Sequence, residues 1–371
     1  MAMRFFDQQI AARRRSRRLT LAFALAVAAT VVGMHVVLML PWLLLRWFLQ
    51  APLGYPLGFM PVNLLAATGL ILGGWWLERS HLARGGVALA ERLGARPARP
   101  ETRFEEERLV HVVSEICTAA HMPRPRVMVL PRHPGINAFA AGFEPADWAL
   151  AVSDGALEQL TRAELQGLVA HECSHLKEGD TRLNMQLISM VSGLQMIWGF
   201  GRSLLPDSDT GRTSQGERGM SLHDLTWIAG IPIMAAGYVG WLAGRILQAA
   251  VSREREYLAD ARAVQWTRSA DSLGGTLRKL MTQQHEAGSE RLQPGHLKLA
   301  AHLFLVADDG RWPLPDGRNA SRQPWLASHP LLADRVRRIY GRPRGPLPLQ
   351  RMDPRTGLPA GADRAAAAPR R

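Results

Sequence analysis

The sequence predicts an α+β protein that is mainly helical and embedded in a membrane, with water-facing parts that hold a small β-sheet. Three observations predict it. Four long apolar runs divide a chain of 371 residues that nonetheless carries a formal net charge of +13. Short strand-like segments bounded by prolines and turns lie between the second and third runs. Helix-like segments stand at residues 101–122, from 162 onward and at 252–263.

The chain opens on "AARRRSRR", which with the rest of residues 1–18 forms a basic N-terminus. The first apolar run, 19–45, contains no acid, and the first base after Arg18 is Arg46. That is enough helix to cross a hydrocarbon core of about 30 Å. The second, 60–77, ends in a tryptophan pair suited to an interface. Together they predict a transmembrane hairpin over 19–78. The third and fourth runs, about 184–205 and 225–250, are richer in glycine, and Arg245 interrupts the last. They predict a second hairpin over 184–250, with buried helices of a soluble domain as the competing assignment.

Arginine placement orients these spans, since cytoplasmic loops collect Lys and Arg. The basic N-terminus and "ERSHLARGG" belong inside, and the uncharged loop 47–60 belongs outside. In the loop 206–224, Arg212 and Arg218 stand against Asp207, Asp209, Glu217 and Asp224, which places it outside as well. Residues 79–183 and 251–342 then face the cytoplasm. "SRRLTLAFA" also resembles a twin-arginine export signal, but its apolar run is long and no small-residue cleavage site follows.

Nearly all basic residues are arginine, lysine occurring only at Lys177, Lys279 and Lys298. Many arginines flank apolar runs, which points to a lipid bilayer as partner, and no aromatic-and-basic pattern of a nucleic-acid module is present. Cys117 and Cys173 are too few for a disulfide framework.

Within 79–183, "LARGGVALAERLGARP" predicts a short helix and a proline-marked break. Residues 101–122 predict a helix with Leu109, Val112, Val113, Ile116 and Ala120 on its apolar face. "RPRVMVLPR" predicts a strand, and "INAFAAGF" (136–143) and "DWALAVSDG" (147–155) two more with a turn between them. Thr161 and Glu164 make a capping box, so a helix begins near residue 162. It can run on into the third apolar segment with a kink at Gly179. Beyond 343 the chain turns Pro-, Arg- and Ala-rich and predicts a disordered tail over 343–371.

The helix from 162 carries "AHECSHLKEGD" (170–180). His171 and His175 stand one turn apart on one face and can grip a single metal ion. Glu172, offset around the helix, can reach a water at that metal. A catalytic zinc takes three protein ligands and keeps one position open. A histidine six residues past His175 would complete one known pattern, but position 181 is Thr. "SREREYLADARA" (252–263) offers Glu256, with Asp260 one turn later able to hydrogen-bond the second ring nitrogen of a ligating histidine. Glu254 is the local rival, and by itself the segment also fits a solvated charged helix. His35, His111, His121, His133, His285, His296 and His302 fit packing or surface roles.

Four segments in order, "NAFAAG" (137–142), "HECSHLKEGD", "EREYLAD" (254–260) and "SHPLLADRVRRI" (328–339), resemble the HtpX family of bacterial inner-membrane zinc proteases, relatives of the CAAX prenyl proteases. The resemblance spans about residues 120–340. It implies a zincin-like (gluzincin) catalytic domain facing the cytoplasm and a multi-pass protein of the inner membrane. It implies one Zn2+ per subunit held by His171, His175 and Glu256, with Glu172 as catalytic base and Asp260 behind a ligating histidine. It likens Asn137, Ala138, Phe139 and Ala140 to an edge strand that pairs with substrate backbone. It likens His329 and Arg335 to a pair that steadies an oxyanion, against which stands the plainer reading of a helix start and a surface salt bridge. The implied partners are polypeptides, chiefly misfolded membrane proteins, in a quality-control or stress-response role. Region 308–327 and the Arg-rich tail have no counterpart in the resemblance. Two rival functions fit the same motifs: a non-proteolytic scaffold that keeps its zinc site, and a protease restricted to prenylated tails. A transporter fits less well, because the spans show no paired acids.

Overall fold

Two long apolar helices open the chain, α1 (Phe5–Leu49) and α2 (Phe59–Leu82). The structure is a computed structural model describing residues 5–50, 54, 56–205, 226–286 and 329–353. Among these, Leu21–Leu49 and Phe59–Leu82 are long and apolar enough to cross a membrane. Only 28% and 17% of their apolar windows are buried, so these are not core helices of a soluble domain. Leu25, Leu44, Trp47, Phe48, Val62 and Leu65 all face outward. Such continuous exposed apolar surface is stable against lipid and costly in water.

These helices belong to a first compact unit, residues 1–81 and 186–247. Its other members come from α7 (Asp180–Ser203) and α8 (Thr226–Thr267). The segments expected as a second hairpin are therefore helical, but their described apolar core is the shorter stretch Gly230–Gly240. Their glycine content has a packing reason. A Cβ on Gly193 would lie 2.6 Å from the Ile71 carbonyl oxygen, and one on Gly237 would lie 2.3 Å from the Trp198 nitrogen. Small residues let helix backbones meet where apolar attraction between helices is absent. Ala26, Met34, Ala67, Ile71, Leu194, Ile197 and Ala236 fill the space between. Arg46, Arg79 and Arg202 each lie over a tryptophan of their own helix end, Trp42, Trp75 and Trp198, at 5.8–5.9 Å, the pairing of charge and aromatic that suits a headgroup layer.

The second unit, residues 82–185 and 248–371, contains the sheet. Its strands are β1 (Arg96–Pro97), β2 (Arg126–Leu130), β3 (Ala138–Ala141) and β4 (Ala149–Ser153), in the order β1-β2-β4-β3. β2 and β4 are parallel, and the outer pairs are antiparallel. The expected strands are thus present, and β3 lies at an edge of the sheet. β1 is too short to show a period and was not legible in the sequence. The turn between β3 and β4 is built on Asp147, whose carboxylate accepts hydrogen bonds from the backbone of Phe143, Glu144 and Gly86.

Helices α3 (Gly85–Arg92), α4 (Phe104–Ala120), α5 (Asp154–Gln159) and α6 (Arg162–Glu178) pack against the sheet, and α9 (Ala270–Glu286) and α10 (Leu332–Tyr340) complete the unit. α4 buries the five residues predicted for its apolar face. α6 starts at Thr161 with both halves of the capping box formed. It is buried on nearly every side, which is the signature of a core helix rather than a surface one. α6 ends at Gly179, whose φ of 72° closes the helix in the left-handed region, so α7 is a separate helix rather than a kinked continuation.

α9, which has no local signature in the sequence, packs along α6. Gly167 permits the contact, since a Cβ there would meet the Leu273 nitrogen at 2.3 Å. Lys279, nearly fully buried, donates to the capping-box carboxylate of Glu164 at 2.8 Å and to the Gln159 carbonyl at 2.7 Å. The tail expectation is corrected at its start. Residues 343–353 run extended over α9 and α5, with Leu347 N donating to Arg278 O at 3.1 Å and Met352 N to Glu158 O at 2.8 Å. Proline disfavours helix, but neighbouring side chains and carbonyls still satisfy this backbone. The loop 206–224, the region 308–327 and residues 354–371 lie outside the described residues.

One ion cluster ties β1 to α4. Glu106 is fully buried and accepts from Arg96 at 2.7 and 3.0 Å and from the Arg99 amide at 2.7 Å. Burial pushes its carboxyl up, but Arg96 and the Arg99 amide outweigh it and hold it below the ordinary carboxylate range. A carboxylate so held adds stability that is fully present above its unfolded pKa and is lost as pH falls through the depressed value. Glu106→Gln should therefore cost about 2 kcal/mol near neutral pH, and its deficit should shrink once pH drops below about 4. Thermal unfolding of both proteins across that range checks the sign.

Candidate metal centre

α6 presents His171 and His175 one turn apart, their rings crossing at 85° with centroids 4.9 Å apart. α8 brings Glu256 against them from far along the chain. The two Nε2 atoms are 3.3 Å apart. Glu256 Oε2 lies 3.6 Å from His171 Nε2, and its Oε1 lies 3.5 Å from His175 Nε2. These three residues form a group able to hold a metal ion. A tetrahedral zinc with ligand bonds of about 2.0–2.2 Å sets its donors about 3.3–3.6 Å apart; the two nitrogens meet that spacing, and each lies that far from a different oxygen of Glu256. Glu256 Oε2 is buried without a hydrogen bond, with Arg335 Nη1 ion-paired to it at 3.1 Å, and the two inward-facing imidazole nitrogens are placed to share a cation.

Behind each ring stands an aspartate. Asp260 Oδ1 is 3.1 Å from His171 Nδ1, where the sequence reading put it. Asp180 Oδ2 is 3.1 Å from His175 Nδ1, a contact that reading missed. Its only sequence signal was an acid just past a glycine at the end of the motif. Arg335, fully buried, clasps Asp260 at 2.6 and 2.9 Å and sets Nη1 3.1 Å from Glu256 Oε2. His329 Nδ1 is 3.3 Å from Glu256 Oε1. Both late residues thus converge on the cluster, and the surface salt bridge weighed for Arg335 is replaced by a buried one.

The electrostatics follow from burial and these partners. Burial raises the Glu172 carboxyl, and the neighbouring imidazoles only partly offset it. Burial also works to raise Glu256, but His329 and Arg335 win and hold it well below the ordinary range. Burial lowers His175, yet Asp180 and Glu256 outweigh it and push it up to about 10. His171 is likewise raised, with Asp260 and Glu256 overcoming burial. The pocket demands positive charge.

Asn137, Ala138, Phe139 and Ala140 lie on or beside edge strand β3, all buried, and α6 packs against that strand. Asn137 is held by Ser153, whose hydroxyl accepts from its backbone N at 2.9 Å. Just before the strand, the Gln283 amide pairs with Ile136, accepting from its N at 2.6 Å. Glu254 has no described side chain; among the described residues Glu256 alone of the α8 acids completes the metal group.

An HExxH helix whose two rings meet a downstream glutamate, backed by a second acid one turn further on, defines the metallopeptidase class. Residues 103–342 match Peptidase family M48, and the chain belongs to that family; it is a metalloprotease. A protease HtpX homolog of Streptococcus mutans serotype c is 31% identical over 294 residues, covering 74% of this chain and 92% of the relative. One from Lactobacillus helveticus is 32% identical over 203 residues, covering 53% of this chain and 67% of the relative. One from Streptococcus thermophilus is 29% identical over 311 residues, covering 80% and 95%. The crystal structure of S. mikatae Ste24p aligns with 89% of this chain and 65% of that one at 15% identity and a TM-score of 0.33, too slight a likeness to argue from.

Metal binding to this cluster must release imidazole protons. With His175 protonated to about pH 10 in the metal-free pocket, apparent zinc affinity should rise with pH through the neutral range, by up to about tenfold per pH unit for each proton released. Chelator competition at several pH values tests this, and a flat profile contradicts the assigned ligands.

Proposed function

We propose that the protein is a membrane-bound zinc endopeptidase, with one Zn2+ per subunit on His171, His175 and Glu256. The observation that carries the reading is the convergence of His171, His175 and Glu256, which each bring a donor atom within 4.8 Å of the others. When bound, zinc supplies the Lewis acidity that activates water and polarises a peptide carbonyl.

The chain's own residues supply the rest. Glu172, its proton affinity raised by burial, takes a proton from the attacking water and delivers it to the leaving amine. His329, beside Glu256, steadies the developing oxyanion. Arg335 shares that expectation from the sequence, but its contacts with Asp260 and Glu256 suit it better to holding the ligands in place. Edge strand β3 together with Asn137 just before it pairs with an extended substrate backbone, which gives affinity with limited side-chain preference. The Gln283 amide already occupies the backbone of Ile136 and so bounds that pairing at one end.

Broad backbone recognition suits turnover of misfolded membrane proteins in quality control. The exposed apolar helices α1 and α2 and the flanking arginines support a multi-pass protein of the bacterial inner membrane, with the catalytic domain in the cytoplasm. Glu172→Gln should bind zinc as the wild type does and cleave casein about 100- to 10,000-fold more slowly. Undiminished cleavage by the zinc-loaded variant removes Glu172 as the base, and a wild-type protein that binds zinc but never cleaves supports a scaffold instead.

A further inference from the structure

Each ligating ring is backed by an aspartate, and each aspartate is held by an arginine, but the two pairs reach the centre by different routes. On the His171 side, Asp260 comes from α8 and Arg335 from α10. On the His175 side, Asp180 is the first residue of α7, and its other oxygen lies 2.7 Å from Arg255 Nη1. Arg255 precedes the ligand Glu256 on α8. Asp180 and Arg255 are both largely buried, with side chains 8% and 11% exposed.

Asp180 reaches His175 because Gly179 breaks the helix. Five residues past His175, a continuous α-helix would carry residue 180 well over 100° around from it. The left-handed Gly179, φ 72°, ends α6 and starts α7 with Asp180 in contact with the ring. The carboxylate is thus divided between the ring of one ligand and the arginine adjoining another.

We infer that Asp180 and Arg255 act as a positioning pair for the metal centre: Asp180 accepts from His175 Nδ1 and so turns the Nε2 lone pair toward the ion, while Arg255 locks Asp180 to the segment that carries Glu256. With Asp260 and His171 this forms a cross-brace. α8 supplies one ligand and also fixes the orientation of both others, from two consecutive turns. The pair sets metal affinity and geometry without touching the ion. The plainer reading is that Asp180 only favours the α7 N-terminus as an acid does and that Arg255 is an ordinary ion pair. That reading predicts changed stability with unchanged metal binding.

The inference rests on zinc binding at His171, His175 and Glu256, and the test separates the two. Zinc affinity is measured on the full-length protein in detergent by competition with a chelator, and the visible spectrum of the Co2+-substituted protein reports ligand geometry. Asp180→Asn, close in shape, should weaken zinc binding about 10- to 100-fold and shift the cobalt absorption bands. Arg255→Met should do the same to a smaller degree, and Arg255→Lys should restore most of the loss. The double variant should fall short of the sum of the two, because both act through one imidazole. Unchanged zinc affinity and an unchanged cobalt spectrum in Asp180→Asn overturn the inference. If Asp180→Asn does not fold, wild-type behaviour of Arg255→Met in both measurements overturns it equally. A wild-type protein that binds no zinc sinks the proposed function itself, whatever the variants show.

Discussion

Everything in the water-facing unit is arranged around carboxylates that have been taken out of water. Glu256, Asp260, Glu172 and Asp180 are all buried within reach of two imidazoles. Isolated charges cannot remain ionised there, so each must be paired, protonated or bound to a cation. Arg335 and Arg255 neutralise the two aspartates, and burial raises the proton affinity of Glu172. Glu256, itself beside Arg335 and His329, converges with the two inward-facing ring nitrogens on one point. A divalent metal satisfies all three at once, while protons satisfy them one at a time. The electrostatic deficit that makes the site avid for metal is the same deficit that makes protons compete for it.

Such a cluster is useful only if its geometry is held, and the scaffold supplies that by ordinary means. α6 is capped at one end by Thr161 and Glu164 and closed at the other by Gly179. α9 lies close enough along it to need a glycine at 167, and Thr276 and Lys279 bond to its first turn. The sheet backs the other side, with β3 against the metal-bearing helix. Sites on rigid, buried helices hold their side chains more narrowly than sites on loops. The loss of one brace is therefore expected to loosen the metal before it unfolds the protein.

The first unit answers a different solvent. α1 and α2 turn leucine, valine and tryptophan outward over lengths that match a bilayer, and their glycines and alanines turn inward where helices meet. In water this distribution is inverted; in lipid it is the ordinary one.

Local chemistry was determined by the sequence alone. Two histidines four residues apart on a capped helix share a face, an uninterrupted apolar run of this length suits a membrane span, and short apolar segments between prolines and turns suit strands. These rules act over a few residues, so the HExxH helix, α1, α2, α4 and strands β2 to β4 were legible. Glu256 and Asp260 were legible as a pair through their helical spacing, and the family resemblance singled them out. What only the tertiary structure decided depends on neighbours distant in sequence. Strand β1 exists because β2 offers it a partner, α9 because α6 offers it a groove, and the order of 343–353 because α5 and α9 satisfy its backbone. Asp180 belongs with these: its role follows from a left-handed glycine and from an arginine 75 residues later, and no local periodicity encodes either meeting.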